Sequence, residues 1–113
     1  MATDARLATH VWVGAWLTRA RLAGLPVYVT AHGHDEGGAV IVKCATLDGR
    51  ATAWHRSWDL MSGTRAWVIF AEGDEREVDA ALARARSRDP DLWLLEIEDR
   101  QGRSLLDEPG LSD

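Results

Sequence analysis

The sequence predicts an α+β fold, in which a mostly antiparallel sheet of about five strands packs with two helices on one face. The first observation behind this prediction is the order of local patterns, which reads helix, four strands, helix, strand (α-β-β-β-β-α-β). The second is size and composition, because 113 residues, 46% hydrophobic and 27% charged, suit one soluble two-layer domain. We expect a single domain over residues 1–113, with 104–113 as a loose polar tail.

The first helix is predicted from Ala5 to Ala23, a stretch without proline that is rich in Ala, Leu and Arg. Gly24 and then Pro26 end it, because glycine accepts the left-handed cap and proline cannot continue the ladder. The apolar arc of this helix is wider than contact with one sheet requires. A second apolar neighbour is therefore expected.

Strands are predicted at four segments rich in β-branched and aromatic residues: "PVYVTAH", "AVIVKCATL", "RATAWHRSW" and "TRAWVIFAE". Polar turns separate them. Asp48-Gly49 is the strongest hairpin signal, because a type I′ turn needs two residues that tolerate positive φ. The four strands are therefore predicted to form an antiparallel meander.

The second helix lies in "GDEREVDAALARARSRDP", where Asp74 and Glu77 have the spacing of a capping box. Acids at its start and arginines near its end suit the helix dipole, and Asp89-Pro90 ends it. "DLWLLEIED" then alternates apolar and acidic residues, which predicts a last strand. "RQGRSLL" is expected to return as a short edge strand.

Charge and cysteine content argue against several classes of function. A net charge of -5 disfavours binding to the phosphates of nucleic acids. The one cysteine, Cys44, lies in an apolar run and is expected to be a buried, unreactive thiol rather than half of a disulfide. No transmembrane or signal segment is evident, so we expect no membrane association and a cytoplasmic location.

The sharpest chemical motif is "HGHDE", in which His32 and His34 are candidate metal ligands. Histidines two residues apart on a strand point the same way, but a metal site needs further ligands. The favoured interpretation is a polar hairpin loop ahead of two glycines, so no metal or other cofactor is assigned. Glu96 and Glu98 on the last strand also allow two interpretations: they could hold a metal or act as an acid–base pair, or they could form the solvated face of the strand.

Tryptophan is the most unusual feature of the composition, with six residues in the chain. Trp54 and Trp58 lie on one side of the third strand with Arg56 between them, as in many protein interfaces and single-strand nucleic-acid sites. Core packing, a protein interface and a ligand site all stay open for the tryptophans. The candidate interaction surface comprises seven residues: Trp12, Trp16, Trp54, Arg56, Trp58, Asp59 and Arg65.

Three segments are similar, in order and spacing, to the bacterial domain of unknown function 1491 family: "GAVIVKCATLDGRA", "RSWDLMSGTRAWV" and "DPDLWLLEIEDRQGRSLLDEPGL". The resemblance covers nearly the whole chain. It implies a small single-domain protein, mostly known from alphaproteobacteria, with no assigned activity and no catalytic residue to carry over. "HGHDE" is not part of the family's pattern.

The leading hypothesis is a non-enzymatic binding module, a homodimer or a partner of another protein, with no catalytic or cofactor-binding residue. The alternative is a small metal-dependent hydrolase, or a degenerate nuclease-like enzyme, that uses His32, His34 and the strand carboxylates. An active nuclease is not expected, because Lys43 follows Ile41 where that class needs an acid two residues earlier. Nucleic-acid binding through Trp54, Arg56 and Trp58 is a third hypothesis, which the acidic net charge disfavours.

Overall fold

The computed structural model describes residues 7–112, which form two helices and one five-stranded sheet. The helices are α1 (Thr9–Leu22) and α2 (Glu75–Arg88). Asp74 caps α2 as the sequence predicts, since its carboxylate accepts a hydrogen bond from the backbone N–H of Arg76 at 2.9 Å. The predicted start of the first helix at Ala5 lies outside the described residues.

The sheet contains five strands: β1 (Val27–Ala31), β2 (Val40–Ala45), β3 (Arg50–Asp59), β4 (Thr64–Asp74) and β5 (Trp93–Glu98). Their spatial order is β1-β5-β2-β3-β4, with β2 and β5 parallel and the other neighbours antiparallel. The predicted α+β class and element order are thus confirmed. No helix within residues 7–112 is long and apolar enough to cross a membrane.

The predicted meander of the first four strands is wrong, because β5 inserts between β1 and β2. Trp93, Leu95 and Ile97 on β5 are all buried in the core. An edge position would leave part of that apolar row in water, whereas the central position buries it between two neighbouring strands. The hairpin of β2 and β3 does form, but Leu47 and Gly49 take the positive φ values rather than Asp48 and Gly49.

The helices lie on opposite faces of the sheet, so the two-layer prediction is wrong and the domain has three layers. Val42 and Cys44 on β2 pack in the core cluster of α1. Ile41, which alternates with them, packs in the cluster of α2. The physical reason is that β2 is apolar on both faces, and a strand of that kind needs a covering layer on each side.

The C-terminal segment is the second apolar neighbour that α1 requires, and residues 104–112 are not the expected loose tail. Leu105, Leu106 and Leu111 are buried in the same core cluster as α1. The indole N–H of Trp12 donates to the carbonyl oxygen of Leu111 at 3.3 Å, and that of Trp16 donates to Ser104 at 3.0 Å. Residues 100–106 have turn and irregular backbone rather than the expected edge strand.

Cys44 lies under this segment and is buried, as expected. Burial raises the pKa of its thiol to about 11, so the thiol is protonated near neutral pH.

Candidate interaction surface

The "HGHDE" segment lies in the loop from β1 to β2, and both of its histidines contact nearby residues of the protein. The His32 ring packs on the indole of Trp93 with 3.9 Å between ring centroids, and its Nε2 lies 2.9 Å from the Asp35 carboxylate. The Nδ1 atom of His34 accepts hydrogen bonds from the backbone N–H groups of Glu36 and Gly37. The hydrogen bond with His32 lowers the pKa of Asp35.

The same loop holds the start of α1 and the start of β5. The carbonyl oxygens of Glu36 and Asp35 accept from the backbone N–H groups of Thr9 at 3.1 Å and His10 at 2.8 Å. They satisfy donors at a helix start that has no side-chain cap. The carbonyl oxygen of His34 accepts from the Trp93 indole at 2.9 Å.

Two glycines let this loop pass close to the chain before β5. A Cβ atom on Gly33 would lie 2.2 Å from the carbonyl oxygen of Asp91, and one on Gly38 would lie 2.3 Å from the same atom. Only glycine permits this approach. Because β1 and β2 are not neighbours, the loop crosses the start of β5 and is not the hairpin loop that the sequence suggests.

The candidate carboxylates on β5 have partners other than the histidines. Glu96 accepts from the Lys43 ammonium at 3.3 Å, and Glu98 accepts from the Tyr28 hydroxyl at 3.1 Å. Within residues 7–112, no group of three or more His, Cys, Asp or Glu side chains is placed to hold a metal ion. The fold therefore does not bring His32, His34 and the strand carboxylates together.

Sequence reasoning missed a cluster of ion pairs around a buried lysine beneath α2. Lys43 on β2 is 3% exposed, and its ammonium donates to Glu75 and Asp79 at 2.7 Å as well as to Glu96. Burial alone lowers the pKa of Lys43, but the hydrogen bonds to Asp79 and Glu75 outweigh it and raise the pKa above its ordinary value. The ammonium of Lys43 thus joins α2 and β5 to β2. The sequence feature that could have revealed these ion pairs is a lysine inside an apolar run.

The residues of the candidate interaction surface divide into two groups. Trp12 and Trp16 are buried in the core, and Trp54 is half-buried. The guanidinium of Arg56 lies 5.0 Å from the ring centroid of Trp12 and 4.7 Å from that of Trp67. These distances suit cation–π contacts, so this group works within the fold.

The other group is Trp58, Asp59 and Arg65, which lie on a hairpin arm that we define as residues 57–66. Among the described strands, β3 and β4 pair only with each other here, because the pairing of β2 with β3 ends at His55. Trp58 is 60% exposed, and Leu60 and Met61 at the tip are 94% and 95% exposed. Asp59 shapes the turn, since its carboxylate accepts from the backbone N–H of Met61 at 2.9 Å.

The arm continues into the outer edge of β4. This strand has 11 residues, ends the sheet, and exposes Val68 and Ile69. Apart from its ladder with β3, no backbone hydrogen bond from another described segment reaches residues 64–73. The opposite edge, β1, has five residues and a register irregularity between Val29 and Ala31. Of the two edges, β4 offers the longer row of backbone groups for pairing.

The family model described as "Protein of unknown function (DUF1491)" matches residues 7–107. A DUF1491 family protein from Caulobacter crescentus CB15, known from a crystal structure, shares 37% sequence identity with this chain. The two structures match with a TM-score of 0.80 over 91% of this chain and 95% of that one. An NMR structure of a DUF1491 family protein from that bacterium is 38% identical, with a TM-score of 0.79 over 91% and 94%. Protein Atu0922 from A. tumefaciens is 30% identical, with a TM-score of 0.68 over 82% and 86%. No curated protein matches the chain.

Proposed function

The chain belongs to the DUF1491 family, as its sequence motifs indicate, and because that family brings no assigned activity we propose a function from the chain's own surface. We propose that it is a cytoplasmic, non-enzymatic binding module that forms a homodimer through the outer edge of β4. The observation that carries this proposal is the exposed 11-residue edge strand with two apolar side chains at its centre.

The backbone of β4 supports the proposal. An edge strand presents N–H and C=O groups that another strand can bind, and this mode of recognition needs no preformed pocket. A long apolar edge strand that stays uncovered in a monomer favours aggregation. The exposure of Ile69, at 54%, is accounted for if a second copy covers it.

The distribution of aromatic residues also supports it. Three of the tryptophans are buried in the core, namely Trp12, Trp16 and Trp93. The high tryptophan content by itself therefore does not argue for an interface. Trp58 is different, because it is exposed on the arm and lies opposite Arg65 of β4. Aromatic side chains are enriched at the centres of protein interfaces.

The polar residues that the sequence offered for catalysis are engaged elsewhere. His34 and the loop around it hold the starts of α1 and β5, and Lys43 joins α2 to the sheet. These contacts favour a binding function over the metal-dependent enzyme.

Light scattering on a size-exclusion column, at concentrations from micromolar to millimolar, tests the proposal. The expected result is a mass that rises from monomer toward dimer with concentration. Ile69→Lys should stay a monomer, because it places an ammonium in the centre of the edge. The matched control is Leu22→Lys, which makes the same kind of change at an exposed residue of α1 and should dimerise normally. A wild-type mass that stays monomeric throughout contradicts the proposal.

A further inference from the structure

We propose that the two copies pair β4 with β4 in antiparallel orientation, about a two-fold axis that passes beside Val68. The two sheets then form one continuous sheet. This inference rests on the proposed homodimer and adds its register, which the side-chain pattern of β4 determines.

The first constraint is which face each side chain occupies. Trp67 and Ile69 lie on the α1 face, opposite Arg56 and Trp54 of β3, whereas Val68 lies opposite His55 on the α2 face. Directly opposed residues of antiparallel strands share a face. A two-fold axis perpendicular to the sheet keeps the α1 faces on one side. Trp67 must therefore lie opposite the partner's Ile69 or another residue of the α1 face.

The second constraint is the bulge in β4. The ladder with β3 passes from Trp54–Ile69 to Ala53–Ala71 and leaves Phe70 without an opposed residue. A second strand that follows the same irregularity on the outer edge also skips Phe70. With the axis at Val68, Ala66 then lies opposite the partner's Ala71.

Charge selects this register over its neighbours. The axis at Val68 places Arg65 opposite the partner's Glu72, and symmetry produces this pair twice. An axis at Trp67 instead places Arg65 opposite the partner's Ile69. An axis at Ile69 places Trp67 opposite the partner's Glu72. The register at Val68 is thus the one of the three in which opposite charges flank an apolar centre.

Both members of the charge pair lie on the α1 face of the edge. Glu72 is exposed, and one of its carboxylate oxygens accepts from the Thr52 hydroxyl at 3.2 Å. A carboxylate accepts several hydrogen bonds, and a guanidinium has five N–H donors. Arg65 is half-buried and lines a cavity with Thr9 and Glu36 of its own chain, so the pair across the axis forms when its guanidinium turns outward to the partner's Glu72.

Disulfide cross-linking of the full chain reads the register directly. Cys44, the one native cysteine, is buried, so a variant with one added surface cysteine has a single accessible thiol. Opposed Cα atoms in an antiparallel pair are about 4.5–5.5 Å apart, within the range that a disulfide spans. Val68→Cys should form a covalent dimer under mild oxidation. Leu22→Cys on α1 and Met61→Cys at the arm tip are the controls, and neither should cross-link at that rate.

Charge reversal is the second measurement, and it does not depend on the cysteine. Arg65→Glu and Glu72→Arg should each weaken dimerisation about tenfold, since each places like charges opposite one another twice. The double variant restores opposite charges and should regain most of the wild-type affinity. Recovery in the double variant also separates this effect from damage to the fold by either single change.

Three outcomes are informative. Fast cross-linking of Val68→Cys with recovery in the double charge variant supports the register. A wild-type dimer in which Val68→Cys cross-links no faster than the two controls overturns the register and leaves the homodimer standing. A wild-type monomer at all concentrations overturns both the register and the proposed function.

Discussion

The body of the domain and the hairpin arm use the same residue type in opposite ways. Trp16 in the body is fully buried, and its indole N–H donates to the backbone of the C-terminal segment. Trp58 on the arm is 60% exposed and belongs to neither of the two core clusters within residues 7–112. A high tryptophan content therefore does not identify an interface by itself. The position of each strand in the sheet decides which aromatic side chains are available to a partner.

The largest expected effect of this difference is on folding stability. Trp16→Ala should lower the free energy of unfolding by about 3–5 kcal/mol, because it opens a cavity in the core and removes a buried hydrogen bond. Trp58→Ala should change it by less than about 0.5 kcal/mol. Urea denaturation of both variants measures the two values. Similar losses in the two variants would show that the arm is part of the cooperative core.

The ion cluster beneath α2 should show the next largest effect. Lys43→Ala should cost about 2–3 kcal/mol, less than for a fully buried pair because Glu75 and Asp79 reach solvent. Lys43→Met keeps the apolar stem of the lysine and should cost about 1 kcal/mol less. Thermal and urea unfolding of both variants test this. Equal losses would mean that packing volume makes no difference at this position.

The Asp99–Arg103 pair, which starts the C-terminal segment, should show a smaller and pH-dependent effect. The hydrogen bond from the Arg103 side chain lowers the pKa of Asp99 to about 2. A lowered folded-state pKa stabilises the fold above the unfolded value of about 3.9, and this contribution is lost as pH falls through about 2. Asp99→Asn should therefore cost about 1–2 kcal/mol at neutral pH.

Stability measured between pH 6 and pH 2 checks the sign of this effect. The gap between wild type and Asp99→Asn should stay constant down to about pH 4 and then narrow. A gap that widens with acid would contradict the assignment of a lowered pKa to Asp99.

The smallest expected effect on folding is at the edge of β4. Ile69→Lys should change the free energy of unfolding of the monomer by less than about 0.5 kcal/mol, since the side chain is exposed. The same variant should lose dimerisation. Unfolding measured at low protein concentration, where the monomer dominates, separates the two effects. A large loss of monomer stability would place Ile69 in the body rather than on the binding edge.

Local signals in the sequence were enough to predict the order of elements. Asp74 caps α2, Gly24 follows the end of α1 in a left-handed conformation, and the strand segments carry the expected residue types. These features depend on neighbours in sequence. They predict which element forms, and they carry no information about which strand lies beside which.

Long-range features were not predictable in the same way. The insertion of β5 depends on competition between strands for the buried centre of the sheet. The three-layer arrangement depends on the packing of both faces of β2 against distant helices. The structural role of the loop at His34 could not be predicted, because it consists of hydrogen bonds to α1 and β5, which are distant in sequence. Lys43 was missed because its three partners come from two other elements.

Hydrogen exchange of the backbone amides, at low and at high protein concentration, tests the role of β4 most directly. If β4 is the binding edge, amides of residues 64–73 that face outward should exchange more slowly at high concentration. Amides of β1 and the arm tip should exchange at the same rate in both samples. Unchanged exchange along β4, or new protection confined to α1 or β1, would contradict the proposal that this edge is the binding surface.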